Sequence, residues 1–337
     1  EVVREPRPTY AGVPVEGGSL TLMLASGDNR DFSPAAFRQD LQIMVSYLDP
    51  LVWIDEVTME PRPWLAESWE WNDDRTVITY RLRKNVRWHD GTELTSRDVV
   101  FSLYVYRDDL DSAVRNVFTT MAAAETDGKY GVKVTLTEPD GSWLLNASSQ
   151  LIIQRKQYLD YWESRPEGER TLSGFNWRKN PPLGTGPWMI EKRDEQHIAL
   201  SRWQRYWAGH PYAEELTLTW SGDREARINA WKTGQSDLLW PVRPADLPLA
   251  ADTPGRLYVS DSASVMFAAF NFHNPARKPR DLFKDVRVRR ALSLAIDRER
   301  YAREVFNGFI HADRAGTIAQ PWAYDPSVQN PPRDLAA

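Results

Sequence analysis

A mixed α/β or α+β fold is predicted by three features of this 337-residue sequence. Apolar residues recur with period two in several short segments and with helical period in others. The two kinds of segment alternate without the strict strand–helix–strand rhythm of a purely parallel sheet. The composition, 42% hydrophobic and 26% charged, is that of an ordinary globular protein. At roughly 150 residues per domain, the length suggests about two domains, or one with large insertions.

Residues 1–17 hold three prolines and mixed charge but no periodicity, and read as a flexible lead-in. Order begins at Gly18-Ser19. There Leu20, Leu22 and Leu24 alternate with their neighbours and argue a strand, stopped by Ser26-Gly27-Asp28. Phe37, Leu41, Met44 and Leu48 fall at helical spacing and predict a helix over 34–47. Residues 64–71 lead to an Asn72-Asp73-Asp74 turn, after which Ile78, Tyr80 and Leu82 share one face: a hairpin. His89-Asp90-Gly91 is a second turn. Thr95 and Asp98 match a capping box, a hydroxyl at the N-cap and a carboxylate three residues on. They open a helix through Val99, Val100, Leu103 and Tyr106.

Further strands are expected at 132–136, 198–200, 216–220 and 257–259. A helix over 224–232 ends at Gly234, a residue type that accepts the left-handed conformation after a last turn. A strand over 265–272 precedes a long helix over 286–306. Its apolar stripe is Val288, Leu292, Ala295, Ala302 and Phe306, and Gly308 closes it. No internal repeat or low-complexity tract interrupts the pattern.

Several function classes are disfavoured. Net charge is −5 and pI about 5.7, so no basic footprint argues for a nucleic-acid backbone or an anionic membrane. No apolar run approaches the roughly 18 residues of a membrane-spanning helix, and mean hydropathy is −0.56. Cys is absent, which removes thiol nucleophiles, disulfides and thiolate metal sites together. The chain opens Glu1-Val2-Val3-Arg4-Glu5-Pro6 without a charged n-region or apolar h-region, so any targeting segment was removed or never existed.

The chemistry-bearing residues are sparse. Five histidines, at 89, 197, 210, 273 and 311, stand singly, and none lies at metal-ligand spacing. His89-Asp90 has the residue types of a hydrolase, yet it sits in a turn and reads as structural. Gly184-Thr185-Gly186-Pro187 lacks the Lys-Ser/Thr of a phosphate loop and reads as a turn. No Gly-x-Ser-x-Gly elbow is present. Arg287, Arg289, Arg290, Arg298, Arg300 and Arg303 interleave with Asp285, Asp297, Glu299 and Glu304, which describes a solvated helix face better than a nucleic-acid stripe. Asn146-Ala147-Ser148 fits the glycosylation triplet, one that arises often by chance. The 15 Trp residues carry more information: an indole stacks on apolar ring faces and peptide planes, so a Trp-lined cleft suits peptides or sugars. Most are expected to fill cores.

Taken together, the segments resemble the extracellular solute-binding proteins of family 5, the peptide-, nickel- and oligosaccharide-binding components of ABC importers. Pro63-Trp64-Leu65-Ala66-Glu67-Ser68-Trp69, residues 80–92 (ending Trp88-His89-Asp90-Gly91-Thr92) and residues 94–102 are similar to the family signature almost without a break. Pro182-Leu183-Gly184-Thr185-Gly186-Pro187-Trp188 resembles a second motif, followed by the aromatic element Tyr206-Trp207-Ala208-Gly209. Gly234-Gln235-Ser236-Asp237 resembles a third. Phe270-Asn271, residues 285–292 and Ala295-Ile296-Asp297-Arg298 resemble a fourth. The resemblance runs over residues 18–326 in the family order.

It implies a lobed periplasmic-binding-protein type II fold. Lobe I would comprise 18–46 and 160–262, an inserted lobe II 47–159, and a third lobe would start near 263. That third lobe is expected to be incomplete within 263–337, since one strand and one helix bury too little apolar area to stand alone. Ligand would lie between the first and third lobes. By position, the resemblance assigns Ser26, Gly27 and Asp28, then Trp240, then Ser264, Phe267 and Asn271 to the ligand side or the hinge, with Asn271 equally suited to pinning the hinge. Ala268-Ala269 replaces the bulkier or acidic residues common in peptide binders, which favours a neutral or larger ligand.

The implied protein is no enzyme and needs no cofactor or metal. As a periplasmic or extracellular monomer, lipid-anchored through a removed signal region, it would capture a short peptide and deliver it to ABC permease subunits, with no nucleic-acid partner. An oligosaccharide is the rival ligand. A hydrolase using His89 and Asp90, and a ligand-presenting sensor, are the rival classes.

Overall fold

Leu20, Leu22 and Leu24 do form a strand, and its neighbours define the architecture. The computed structural model describes residues 2–3, 12–25, 41–55, 58–176, 179–194, 196–243, 246–250, 253–258, 269–272, 281–310, 312, 325 and 327–335. The chain divides into two compact units. One comprises Ala11–Asp55 and Glu60–Pro241, the other Glu1–Tyr10, Glu56–Met59 and Val242–Ala337.

The larger unit holds two main sheets. The first has five strands in the order β12-β2-β11-β10-β9, with β2 Ser19–Leu24, β9 Trp188–Arg193, β10 His197–Arg202, β11 Glu215–Trp220 and β12 Leu238–Leu239. β12, β2 and β11 run parallel, whereas β11, β10 and β9 are antiparallel. Register sets Leu20 opposite Leu216 and Leu22 opposite Leu218, while Ile198 pairs with Leu218 and Leu200 with Leu216. One face is therefore continuously apolar, and Leu216, Leu218, Ile198 and Leu200 are buried on it. Helix α5 (Arg224–Lys232) links β11 to β12. Asp223 caps its start by accepting the Glu225 and Ala226 N–H groups, and Gly234 follows its end at φ +74°.

The second sheet is an antiparallel β5-β6-β8-β7, from Ala66–Trp71, Val77–Leu82, Gly131–Leu136 and Met121–Thr126 respectively. Ile78, Tyr80, Leu82, Val132 and Val134 are buried beneath it. Helices α2 (Ser96–Asp108) and α4 (Arg155–Glu163) pack against this unit's core. The Asp98 carboxylate accepts the Thr95 N–H at 2.9 Å and its hydroxyl at 3.1 Å, as the sequence spacing requires, and also the Arg155 N–H at 3.0 Å. One carboxylate thus fixes the starts of both helices. Helix α1 (Leu41–Tyr47), the pair β3 (Val52–Ile54) and β4 (Pro61–Pro63), and the short α3 (Trp143–Asn146) complete the unit. The 34–40 part of the helix expected over 34–47 lies outside the described residues.

In the smaller unit, β1 (Val2–Val3) pairs in parallel with β13 (Leu257–Tyr258), so the stretch read as a lead-in contains a strand; Val259 is outside the described residues. A single turn, α6 (Leu247–Ala250), lies between β12 and β13 in sequence. The long helix expected over 286–306 is two: α7 (Val286–Ala295) and α8 (Arg298–Phe306). Asp297 breaks it. Its carboxylate accepts the Arg300 N–H at 2.9 Å and caps α8, a local bond that competes with helix continuation. Asn307, at φ +49°, ends α8. Of the expected stripe only Ala302 is buried, and Leu292 is 42% exposed. The strand expected over 265–272 is not borne out at 269–272, which is irregular; 265–268 lie outside the described residues.

Candidate functional site

The parallel strands β12, β2 and β11 bring their carboxyl ends to one edge of the five-stranded sheet. Leu238 and Leu239 register with Leu22 and Met23, and Trp220 registers with Leu24. The next residue after β12 is Trp240, whose indole side chain leaves it 44% exposed. In open sheets with parallel strands, ligands bind beyond such carboxyl ends.

The Gly234-Gln235-Ser236-Asp237 sequence makes this edge. Asp237 accepts the Thr21 N–H on its carboxylate at 2.7 Å and donates its own N–H to the Thr21 carbonyl at 2.8 Å. The Ser236 hydroxyl accepts the Met23 N–H at 3.0 Å and donates to the Leu238 carbonyl at 2.8 Å. Two short side chains therefore lock a two-residue strand onto β2 and set where Trp240 emerges. Trp220, half-buried at the end of β11, flanks the same edge.

His89 serves a different purpose. Its Nδ1 accepts the Gly184 N–H at 3.2 Å, its Nε2 donates to the Gly186 carbonyl at 3.0 Å, and its own N–H reaches the Gly184 carbonyl at 2.9 Å. Trp203 covers the ring edge-on at 5.6 Å. Burial pushes the imidazole pKa down to about 4, so the ring is neutral at pH 7. Both nitrogens are committed to backbone, which leaves no free lone pair for a general base. Asp90 is equally engaged: it accepts the Thr92 N–H and hydroxyl and the Gln154 amide.

Gly184 and Gly186 are themselves required by close approach to α1. A Cβ at Gly184 would lie 1.5 Å from the Tyr47 carbonyl oxygen, and one at Gly186 2.6 Å from the Tyr47 carbonyl carbon. Beside them lies a buried carboxylate, Asp49. It accepts from Trp64 Nε1 at 2.7 Å, Thr185 Oγ1 at 2.8 Å, Tyr206 OH at 3.1 Å and Trp207 Nε1 at 3.2 Å. Burial raises its pKa against the pull of these four donors. The indoles of Trp53, Trp64 and Trp207 form a run with centroid spacings of 5.3 and 5.1 Å, and the Arg83 guanidinium lies 5.0 Å from the Trp207 ring. Four protein donors take up the Asp49 carboxylate, so it fastens the segments around residues 64, 185 and 206–207 to the end of α1. Among the described residues, no cluster of three or more His, Asp or Glu side chains is placed to hold a metal, and no helix is long and apolar enough to cross a membrane.

The sequence profile of the bacterial extracellular solute-binding proteins, family 5 Middle, matches residues 60–337. The chain belongs to this family. A Brucella ovis protein that carries the name of an ABC transporter peptide-binding protein is 27% identical over 310 residues, 89% of this chain and 56% of the relative. The oligopeptide-binding protein AppA of Bacillus subtilis is 30% identical over 247 residues, 72% of this chain and 43% of AppA. Its structure with a nonapeptide superposes with a TM-score of 0.67 at 25% identity, over 88% of this chain and 57% of that one. The ABC transporter substrate-binding protein CtaP of Listeria monocytogenes shares the fold, with a TM-score of 0.75 at 23% identity over 95% of this chain and 64% of CtaP. The fold is thus the type II periplasmic-binding-protein fold, and the chain spans about half the length of the curated relatives it matches.

In this family 5 chain, the first three motifs that carried the resemblance are scaffold. The residues around Trp64, the His89 turn, Gly184–Gly186 and Trp207 converge on Tyr47 and Asp49, and Ser236–Asp237 locks β12. Of the residues assigned to the ligand side, Trp240 stands at the strand ends. Asn271 is exposed in the irregular segment of the other unit, and Ser26, Gly27, Asp28, Ser264 and Phe267 lie outside the described residues. Trp220 was missed; its signal was the aromatic closing the 216–220 strand. Asp49 was also missed, because its partners lie as far as 158 residues away.

Proposed function

We propose that this chain captures a short peptide and hands it to the permease of an ABC-type importer, outside the cytoplasmic membrane. The observation that carries this reading is Trp240, an exposed indole held at the carboxyl ends of three parallel strands by the Ser236–Asp237 lock. An indole face stacks on peptide planes and on apolar side chains, and its N–H supplies one donor. Ser26, Gly27 and Asp28, which follow β2 in sequence, would supply backbone and polar contacts. Ser264, Phe267 and Asn271 would approach from the third lobe, with the lobe boundaries as implied by the family pattern. Membership of a family of solute-binding transport proteins supports capture without turnover, as do the two occupied nitrogens of His89. The names of the Brucella relative and of AppA support a peptide over an oligosaccharide. Lipid anchoring and a monomeric state belong to the same proposal.

Calorimetric titration with pools of peptides of two to nine residues tests it. Saturable binding is expected, weakened by roughly 1–3 kcal/mol in Trp240→Ala, as for a buried aromatic contact. Unchanged affinity in a folded variant removes Trp240 from the site. Binding of oligosaccharides with no response to peptides overturns the peptide reading.

A further inference from the structure

The larger unit also carries an open groove between α2 and α4. Its volume is about 520 Å³, within the roughly 300–1,000 Å³ range of small-molecule clefts, and it is open to solvent. Its floor is apolar. Phe101 from α2 and Trp162 from α4 are buried and meet edge-to-face at 6.3 Å, with Val100 and Leu159 beside them.

The walls carry four arginines against three carboxylates, Asp108, Glu163 and Glu167. Arg107 is committed: it pairs with Asp108 through two bonds of 2.6 and 2.9 Å and covers the Tyr104 ring. Arg170 lies 5.8 Å from the Trp162 ring centroid, and its buried Nε has no hydrogen-bond partner among the described residues. Arg97 and Arg155 lie in the first turns of α2 and α4, which meet where Asp98 accepts the Arg155 N–H at 3.0 Å, and both line the groove. Neither guanidinium makes an ion pair with any described residue. Two free forks beside an aromatic floor match a planar anion on an apolar body.

We propose that this groove is a second ligand site, separate from the strand-end site, for a small carboxylate with an aromatic body. The ring rests against Phe101 and Trp162, and the carboxylate is taken by Arg97 and Arg155. The site does not depend on the peptide reading.

The test uses phenylpropionate and its neutral amide, phenylpropionamide, with ligand-observed NMR and calorimetry on the whole chain. Saturable phenylpropionate binding is expected, about tenfold or more weaker for the amide and weaker as salt is raised. The double variant R97A/R155A should lose about tenfold in affinity with its unfolding midpoint unchanged, and R97K/R155K should recover part of that loss. Absence of saturable binding overturns the proposal. So does equal binding of acid and amide to the unaltered chain, a comparison that needs no variant to fold, and so does equal binding to R97A/R155A.

Discussion

Lowering the pH should undo the clasp between His89 and the Gly184–Gly186 segment. The Gly184 N–H points at the Nδ1 lone pair, so a proton added there sets donor against donor. Burial against Trp203 adds the cost of a charge in a partly dry site. The folded-state pKa of about 4 compares with an ordinary value of 6.5. Between those values the unfolded chain binds more protons than the folded one, so stability rises with pH across that window. The stabilisation is complete above pH 6.5, falls as the pH drops, and is lost below about 4. A gap of that size is worth at most about 3 kcal/mol. Urea unfolding of the protein and of His89→Gln, from pH 7.5 to 4, measures it, because the variant removes this titration and leaves the others. The difference in unfolding free energy should shrink toward acid by about that 3 kcal/mol. Imidazole resonances should show His89 untitrated at pH 5.5. A constant difference across the range, or a His89 titration near 6.5, refutes the reasoning.

Gly184→Ala places a methyl against the Tyr47 carbonyl and should cost more than about 3 kcal/mol, read as a large fall in the thermal midpoint; a midpoint within a degree or two contradicts the close approach. Asp49→Ala leaves two indole N–H groups and two hydroxyls without their acceptor. It should destabilise by about 3 kcal/mol at pH 7. Because burial raises the Asp49 pKa, its ionised form is the costlier one in the fold, so the penalty should grow as the pH falls toward the carboxylate range. Denaturant titrations at pH 7 and pH 5 check both the size and the direction.

Local chemistry was legible in the sequence and long-range chemistry was not. The Thr95–Asp98 spacing, the 66–82 hairpin and the helix over 224–232 ending before Gly234 were readable because each is closed by bonds within a few residues. Met121–Thr126 escaped: its Ala-rich sequence has little strand preference and becomes a strand only by pairing with β8. The break at Asp297 was hidden under an unbroken helical pattern, because an N-cap residue inside a helix reads as an ordinary polar position. At the strand ends, Ser236–Asp237 carried a recognisable pattern before its physical purpose was visible. Asp49 carried none, since four donors from three distant segments define it.

Peptide capture at the strand ends is tested most directly by native mass spectrometry of the protein purified without denaturation. The spectrum should show bound adducts that dissociate on mild activation into peptides of a few residues, sequenced by fragmentation, and that are depleted in Trp240→Ala. Adducts that fragment as carbohydrate, or an adduct-free protein that also fails to take up peptides on titration, would contradict it.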